Sequence, residues 1–372
     1  MFRQATAAAL ALVALSACQS EQQQSQATGQ ATAAIAPDPM TSRDPAPGQP
    51  GTREDTPLPV MQAQVVLERL GFAPGIIDGK EGLSTRNALA GFQLASSLPV
   101  TGKFDPATIK ALAPWSNIAA TRVVTIPEDF ARGPFAPLPK EPTEQAELVM
   151  LGYASLEEKL AERFHTTPEV LRTLNPSSTP TDAASQAAEP EQAVYRAGQQ
   201  LRVPNVGADA FDATTVENKE WAATMQSLGV GTSQPGAERI VVSKSAGTLK
   251  VFDNADKLVA LFTVTTGSDK DPLPIGDWTI NGKAYNPKFS YDAGLFWDVP
   301  DSKGEHLLPP GPNGPVGVVW IDLSKEHYGI HGTPAPHTIG RAQSHGCVRL
   351  TNWDAARLAQ MVSASTRVSF VS

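Results

Sequence analysis

Cysteine is nearly missing from this 372-residue chain, which has two, Cys18 and Cys347. Cys18 ends an export signal, and its lipidation would leave Cys347 as a single thiol in an oxidising compartment, which cannot close an intramolecular disulfide and is a candidate nucleophile. Apolar runs long enough to cross a membrane are lacking as well. Ala7 to Leu15 is unbroken but well short of the about 20 residues a spanning helix needs, and the basic start Met1-Phe2-Arg3 before it makes a secretory signal. No Lys/Arg-rich run occurs, and the net charge is −8 with a pI near 5.3. That balance excludes a phosphate-backbone binder, and no nucleic-acid partner is expected.

The signal closes on Leu15-Ser16-Ala17-Cys18, which resembles a bacterial lipobox. The resemblance implies a signal peptide over 1–17 and lipidation of Cys18 as the first mature residue. The alternative is an ordinary signal with an incidental cysteine. Several acyl chains anchor a protein stably where one does not. Gln19, in place of Asp, points to the outer rather than the inner membrane. The expected address is the periplasm, with the membrane reached through the lipid anchor.

Residues 18–56 are largely Gln, Ala, Pro, Thr, Ser and Gly and bury too little to fold, so they read as a flexible tether. Over 57–113 the pattern changes to three short helices. Met61, Val65, Val66 and Leu70 form one stripe, Ser84 is the expected cap of a second helix, and Asp105-Pro106 opens a third. Leu70-Gly71-Phe72, Gly75-Ile76-Ile77-Asp78-Gly79, Thr85, Ala88-Leu89, Phe92-Gln93, Gly102 and Asp105 with Thr108 resemble the peptidoglycan-binding domain of wall enzymes. Residues 114–143 are proline-rich and read as a linker. Over 144–206, Leu156 to Phe164, Val170 to Pro176 and Ala197 to Pro204 resemble a degenerate LysM module, an α+β unit. Its first strand is degraded and its insertion is long. Retained glycan binding and a mere spacer both remain open for it. Residues 207–237 read as a further linker.

From 238 to 372 β-branched and aromatic residues dominate. Strands are expected at Ile240 to Val242, Thr248 to Phe252, Leu258 to Thr265, Val316 to Ile321 and Arg367 to Val371. Thr351 and Asp354 form a capping box for a prominent helix, Trp353 to Val362. The fold class expected is therefore multidomain: a small three-helix domain, an α+β module and a mainly β domain with one prominent helix.

Two motifs in the last segment carry chemistry: His331-Gly332-Thr333 and Ser344-His345-Gly346-Cys347-Val348-Arg349. A cysteine can form a thioester, a histidine can take its proton, and glycines let N–H groups approach an oxyanion. These residues, with Asp354, Pro274-Ile275-Gly276-Asp277-Trp278 and the loop Leu308 to Gly317, resemble the L,D-transpeptidase catalytic domain. The resemblance implies a peptidoglycan substrate and no cofactor. Cys347 would attack the third residue of a stem tetrapeptide, release D-Ala and pass the acyl group to an amine, making a 3–3 cross-link. It implies His331 as base, oriented by the carbonyl of Gly332. His345, Gly346 and Cys347 would supply oxyanion N–H groups, and Ser344 would support their loop. On an extended segment Arg349 shares a side with Cys347 and can favour the thiolate or bind a stem carboxylate.

Other readings of the same residues are a zinc site from His331, His337, His345 and Cys347, and an inert buried thiol. The zinc set lacks paired ligand spacing and leaves the glycines and arginine without a role. Trp297, Trp320 and Tyr291 fit either a peptide groove or the core. Alternative functions are an L,D-carboxypeptidase, attachment or release of proteins at the wall, and a non-catalytic wall tether.

Overall fold

The computed structural model describes residues 36–37, 58–176, 195–207, 210–295 and 300–372. The expected signal peptide, Cys18, the tether apart from 36–37, most of the insertion in the middle module and Trp297 lie outside the described residues. Among those described, no helix is long and apolar enough to cross a membrane.

The first unit is three helices, α1 (Pro59–Arg69), α2 (Leu83–Ala95) and α3 (Pro106–Leu112). Asp105 caps α3 by accepting from the Thr108 N–H at 2.9 Å, with Pro106 at N1 where no N–H is required. Ser84 does not cap α2. The helix already starts at Leu83 behind an extended Gly82, which places Ser84 within its first turn. Leu67, Phe72, Ala88, Leu89 and Phe92 form the core, and they share it with Leu258 and Leu261 of the last domain.

The proline-rich segment 114–143 is not simply a linker. It contains β1 (Thr121–Thr125), which pairs antiparallel with β2 (Gln200–Pro204), Thr121 opposite Pro204. Between them run α4 (Leu156–Arg163) and α5 (Pro168–Leu174), capped by the hydroxyls of Ser155 and Thr167. Val124, Leu160, Phe164, Leu171, Leu201 and Val203 close a small core. Two short helices, Glu128–Ala131 and Pro142–Ala146, precede α4, so the order is strand, two short helices, two core helices, strand.

The segment 207–237 holds a helix where a linker was expected, α6 (Lys219–Leu228). Asn218 caps it, and Gly229 ends it in the left-handed region at φ 78°. Trp221, Ala222, Met225 and Leu228 make its buried stripe, and Trp221 stacks on Tyr285 with centroids 4.5 Å apart.

The last domain has strands β3 (Arg239–Ser243), β4 (Thr248–Phe252), β5 (Leu258–Thr263), β6 (Gly276–Tyr285), β7 (Phe289–Asp292), β8 (Glu305–Leu308), β9 (Val319–Leu323), β10 (Gly329–His331), β11 (Val348–Arg349) and β12 (Arg367–Val371). Helix α7 (Asn352–Met361) packs across them, with Thr351 capping the Asp354 N–H as its capping box implies. Apart from the separate pair β7–β8, the strands form one sheet ordered β11-β10-β9-β6-β12-β3-β4-β5. Its ends meet, because Thr265, just past β5, bridges Arg349 of β11. That seam is where both chemical motifs lie.

The three units share packing. Phe72 bridges Leu261 of β5, and a Cβ on Gly91 would come within 3.0 Å of the Leu261 side chain. Glu68 of α1, His165 after α4, and Asp354 and Arg357 of α7 meet in one buried ionic cluster.

Candidate active site

Parallel pairing of β10 with β11 sets His331 opposite Arg349. Cys347 immediately precedes β11 in a turn pinned on both sides. Arg349 exchanges N–H···O bonds of 2.8 and 3.1 Å with Thr265, and the Ser344 N–H donates to Thr266 O at 3.1 Å. Within the turn the buried Ser344 hydroxyl donates to the Cys347 carbonyl at 2.6 Å. Gly346 has φ 106°, and a Cβ there would lie 2.8 Å from the Tyr328 ring. Both the backbone conformation and the space therefore require glycine. His345 is partly exposed in the same turn.

Burial pushes the Cys347 thiol upward, against a backbone hydrogen bond from Gly329 and the positive charge of Arg349. Sγ also lies 3.7 Å from His327 O. His331 is buried under Trp320, with ring centroids 5.4 Å apart. Its Nδ1–H donates to the Gly332 carbonyl at 2.6 Å, which leaves Nε2 as the acceptor. Burial, and then the charge of Arg349, lower its pKa to about 4, against the Gly332 bond. The paired strands thus bring to one seam a thiol, just before β11, and a neutral imidazole, at the end of β10. Such a pair moves its proton during attack rather than storing a thiolate.

His337 is exposed on the short turn Pro336–Thr338, away from a closed ligand set. Among the described residues, His, Cys, Asp and Glu ligand atoms approach one another closely enough for a shared ion at Glu68, His165 and Asp354, not at Cys347. Arg357 already supplies a cation to Glu68 there. His306 bonds the Lys303 carbonyl at 2.8 Å, and His327 is exposed.

Residues 237–369 match the family model of the L,D-transpeptidase catalytic domain, and residues 57–112 match that of a peptidoglycan-binding domain. The chain carries both domains. A Bacillus subtilis (strain 168) protein named as an L,D-transpeptidase, YkuD, is 53% identical over 130 residues, which are 35% of this chain and 63% of that one. Its Bacillus licheniformis namesake is 35% identical over 131 residues, covering 35% and 64%. This chain therefore spans less than two thirds of either relative's length. A solved L,D-transpeptidase from Mycobacterium smegmatis is 24% identical with a TM-score of 0.31, over 37% of this chain and 60% of that one.

Several residues of the catalytic domain's site were not singled out from the sequence. Gly267 backs the turn that carries Cys347 so closely that a Cβ would sit 2.1 Å from Asp271 O and 3.0 Å from the Gly346 Cα. Tyr328 walls the turn. Asn352 lies beneath Gly332, whose Cβ would come 2.2 Å from Asn352 Oδ1. The Thr-Thr-Gly that follows an apolar strand could have signalled Gly267, but Asn352 resembles an ordinary first residue of a helix. Asp354, counted with the motif, lies in the buried cluster with His165 and Glu68. Trp320 stacks on the candidate base, and Tyr291 faces His306 at 6.3 Å on the β7–β8 pair.

Proposed function

We propose that this chain is a peptidoglycan L,D-transpeptidase with Cys347 as nucleophile. The observation that carries the reading is the pairing of β10 with β11, which brings to one seam the Cys347 thiol and a neutral imidazole whose Nδ1–H is held by Gly332. Sγ attacks the carbonyl carbon of the third stem residue while its proton passes to His331 Nε2. The oxyanion is held by N–H groups of the turn His345 to Cys347. Collapse breaks the amide bond, the proton moves from Nε2 to the departing amine, and D-Ala leaves. An acceptor amine then attacks the thioester, gives its proton to His331 and restores the thiol, leaving a 3–3 cross-link. Arg349 suits a stem carboxylate, and its charge also disfavours an imidazolium at rest.

The peptidoglycan-binding domain supports the wall as partner, and wall chemistry supports an extracytoplasmic address. Periplasmic anchoring through Cys18 at the outer membrane rests on the lipobox-like sequence. The two core helices α4 and α5 packed on the paired strands β1 and β2 support the LysM-like reading, with β1 as its first strand and the short helices Glu128–Ala131 and Pro142–Ala146 inserted after it. Purified enzyme and disaccharide-tetrapeptide should give dimers joined 3–3, with loss of one D-Ala, by mass spectrometry. A carbapenem should add one drug mass at Cys347 and none to Cys347→Ala. Equal labelling of the Ala variant, or only tripeptide product, would overturn the nucleophile or the transfer step respectively.

A further inference from the structure

Asn352 opens α7 almost wholly buried, and each end of its amide is committed. Oδ1 accepts the Val318 N–H at 3.2 Å. Nδ2 donates to Pro312 O at 2.9 Å and to Glu162 Oε1 at 2.8 Å. The orientation cannot reverse without setting NH₂ against N–H on one side and oxygen against oxygen on the other. Oδ1 also occupies the space beside Gly332, where a Cβ would lie 2.2 Å away, and beside Gly317, where it would lie 1.8 Å away. The amide therefore wedges the Gly332 peptide, whose carbonyl holds His331 Nδ1–H at 2.6 Å.

Glu162 does not belong to the catalytic domain. It lies on α4 of the middle module, where its second oxygen accepts the Tyr153 hydroxyl. The same module grips the neighbouring loop. Glu158 Oε1 accepts Asn313 Nδ2 at 2.9 Å, the Leu151 N–H donates to Pro310 O at 2.8 Å, and the Asn313 N–H donates to Leu151 O at 3.0 Å. Pro312, whose carbonyl takes the other Asn352 hydrogen, lies within that grip.

We propose that Glu162 is a positioning residue for the base His331, acting from the middle module through Asn352 and Gly332. This rests on the transpeptidase reading. The module is then part of the catalytic scaffold, whatever it does with glycan. The bond from Asn352 Nδ2 to the Glu162 carboxyl oxygen fixes the amide that fixes the Gly332 carbonyl, and this carbonyl selects the tautomer with a free Nε2 lone pair.

The test uses the full chain. Alkylation of Cys347 by iodoacetamide is followed across pH by mass spectrometry, alongside kcat and KM for disaccharide-tetrapeptide. Alkylation reports the thiol–imidazole pair even if the natural acyl acceptor is something else, so failure of turnover in the wild type would count against the transpeptidase reading and not against this one. Glu162→Ala should lower kcat about 10- to 100-fold, as misplacement of a catalytic group does, with KM within about twofold. Its alkylation profile should approach that of His331→Ala. Glu162→Gln keeps an oxygen for Asn352 and an amide for Tyr153, and should recover most of the loss. Tyr153→Phe leaves the Asn352 bond and should behave like wild type. Wild-type rates and pH profile in folded Glu162→Ala overturn the proposal. So does an equal loss in Tyr153→Phe, which would mark general loosening of the module.

Discussion

Replacing Arg357 by Met should loosen the junction of all three units. The guanidinium pairs with Glu68 Oε1 at side-chain exposures of 8% and 1%, so water screens little of the interaction. Two carboxylates, Glu68 and Asp354, share the cluster with Arg357 and His165. His165 stacks on Trp353 with Nδ1 3.5 Å from Glu68 and Nε2 3.8 Å from Asp354. Burial works against its charged form, but the two acids outweigh burial and raise its pKa. Arg357→Met leaves the buried Glu68 carboxyl without its guanidinium partner, and breaking a buried pair from one side costs about 3–5 kcal/mol. At about 2–4 °C per kcal/mol for a unit of this size, the first thermal transition should fall by roughly 6–20 °C. Glu68→Gln should cost less, since it leaves a cation that Asp354 still faces. The double variant Glu68→Gln/Arg357→Met should recover about 1–3 kcal/mol relative to the sum of the single variants. Scanning calorimetry of the four proteins in one buffer decides the matter. A drop under about 2 °C for Arg357→Met, or a coupling below about 0.5 kcal/mol, would refute a shared buried cluster.

Burial raises Glu162 to about 7 from an ordinary 4.5, so the folded chain binds this proton more tightly than the unfolded one. Stability from this group is full below pH 4.5 and falls by up to about 3 kcal/mol as pH rises through 7. The melting temperature of Glu162→Gln relative to wild type should therefore rise from pH 5 to pH 8, and a constant difference refutes the burial argument. Asp354, raised to about 6 chiefly by burial, acts in the same direction. His331→Ala should slow carbapenem acylation about 10²- to 10⁴-fold at pH 7 and recover only at alkaline pH, where the raised Cys347 thiol ionises unaided. His345→Asn should cost far less and show no alkaline recovery; the reverse pattern would exchange the two roles. Wild-type acylation should hold down to about pH 5 and fail as His331 protonates near its pKa of about 4, as stopped-flow rates would read. Gly267→Ala should lose acylation by at least about tenfold while keeping its circular dichroism, because its Cβ, 3.0 Å from the Gly346 Cα, displaces the nucleophile turn. Unchanged acylation would mean that the turn tolerates the shift.

The features legible in the sequence were those whose physics is local. Thr351 with Asp354, and Asp105 with Thr108, are caps made within four residues, and each forms as its spacing implies. The helix stripes of α4 and α5 and the strands β3, β4, β5 and β12 likewise follow from neighbouring residues. The two chemical motifs are short, and their residue types limit what they can do. The partner of β1 lies some eighty residues downstream, so Thr121 to Thr125 has no hairpin to announce it and is obscured by the prolines around it. Helix α6 was different, because Asn218, the Trp221–Met225–Leu228 stripe and Gly229 spell out a helix that composition alone concealed.

Polar residues in the core mark the limit of pattern reading. Gln64 and Glu68 stand four apart on α1 and read as a solvent face, yet both are buried. Gln64 can be buried because its amide serves Asp78, Lys80 O and Thr85 at 3.0 to 3.1 Å. Glu68 can be buried because Arg357 meets it from almost three hundred residues away. A buried polar group costs free energy until it is paired, and the pairing partner decides which face of the helix turns inward. Where that partner lies in another unit, only the assembled chain contains the information. Glu162 is the same case at the active site. On α4 it looks like one more acid in Glu157-Glu158-Lys159-Leu160-Ala161-Glu162. Its consequence arises only when Asn352, 190 residues later, is brought to its carboxylate beneath the glycine that orients His331.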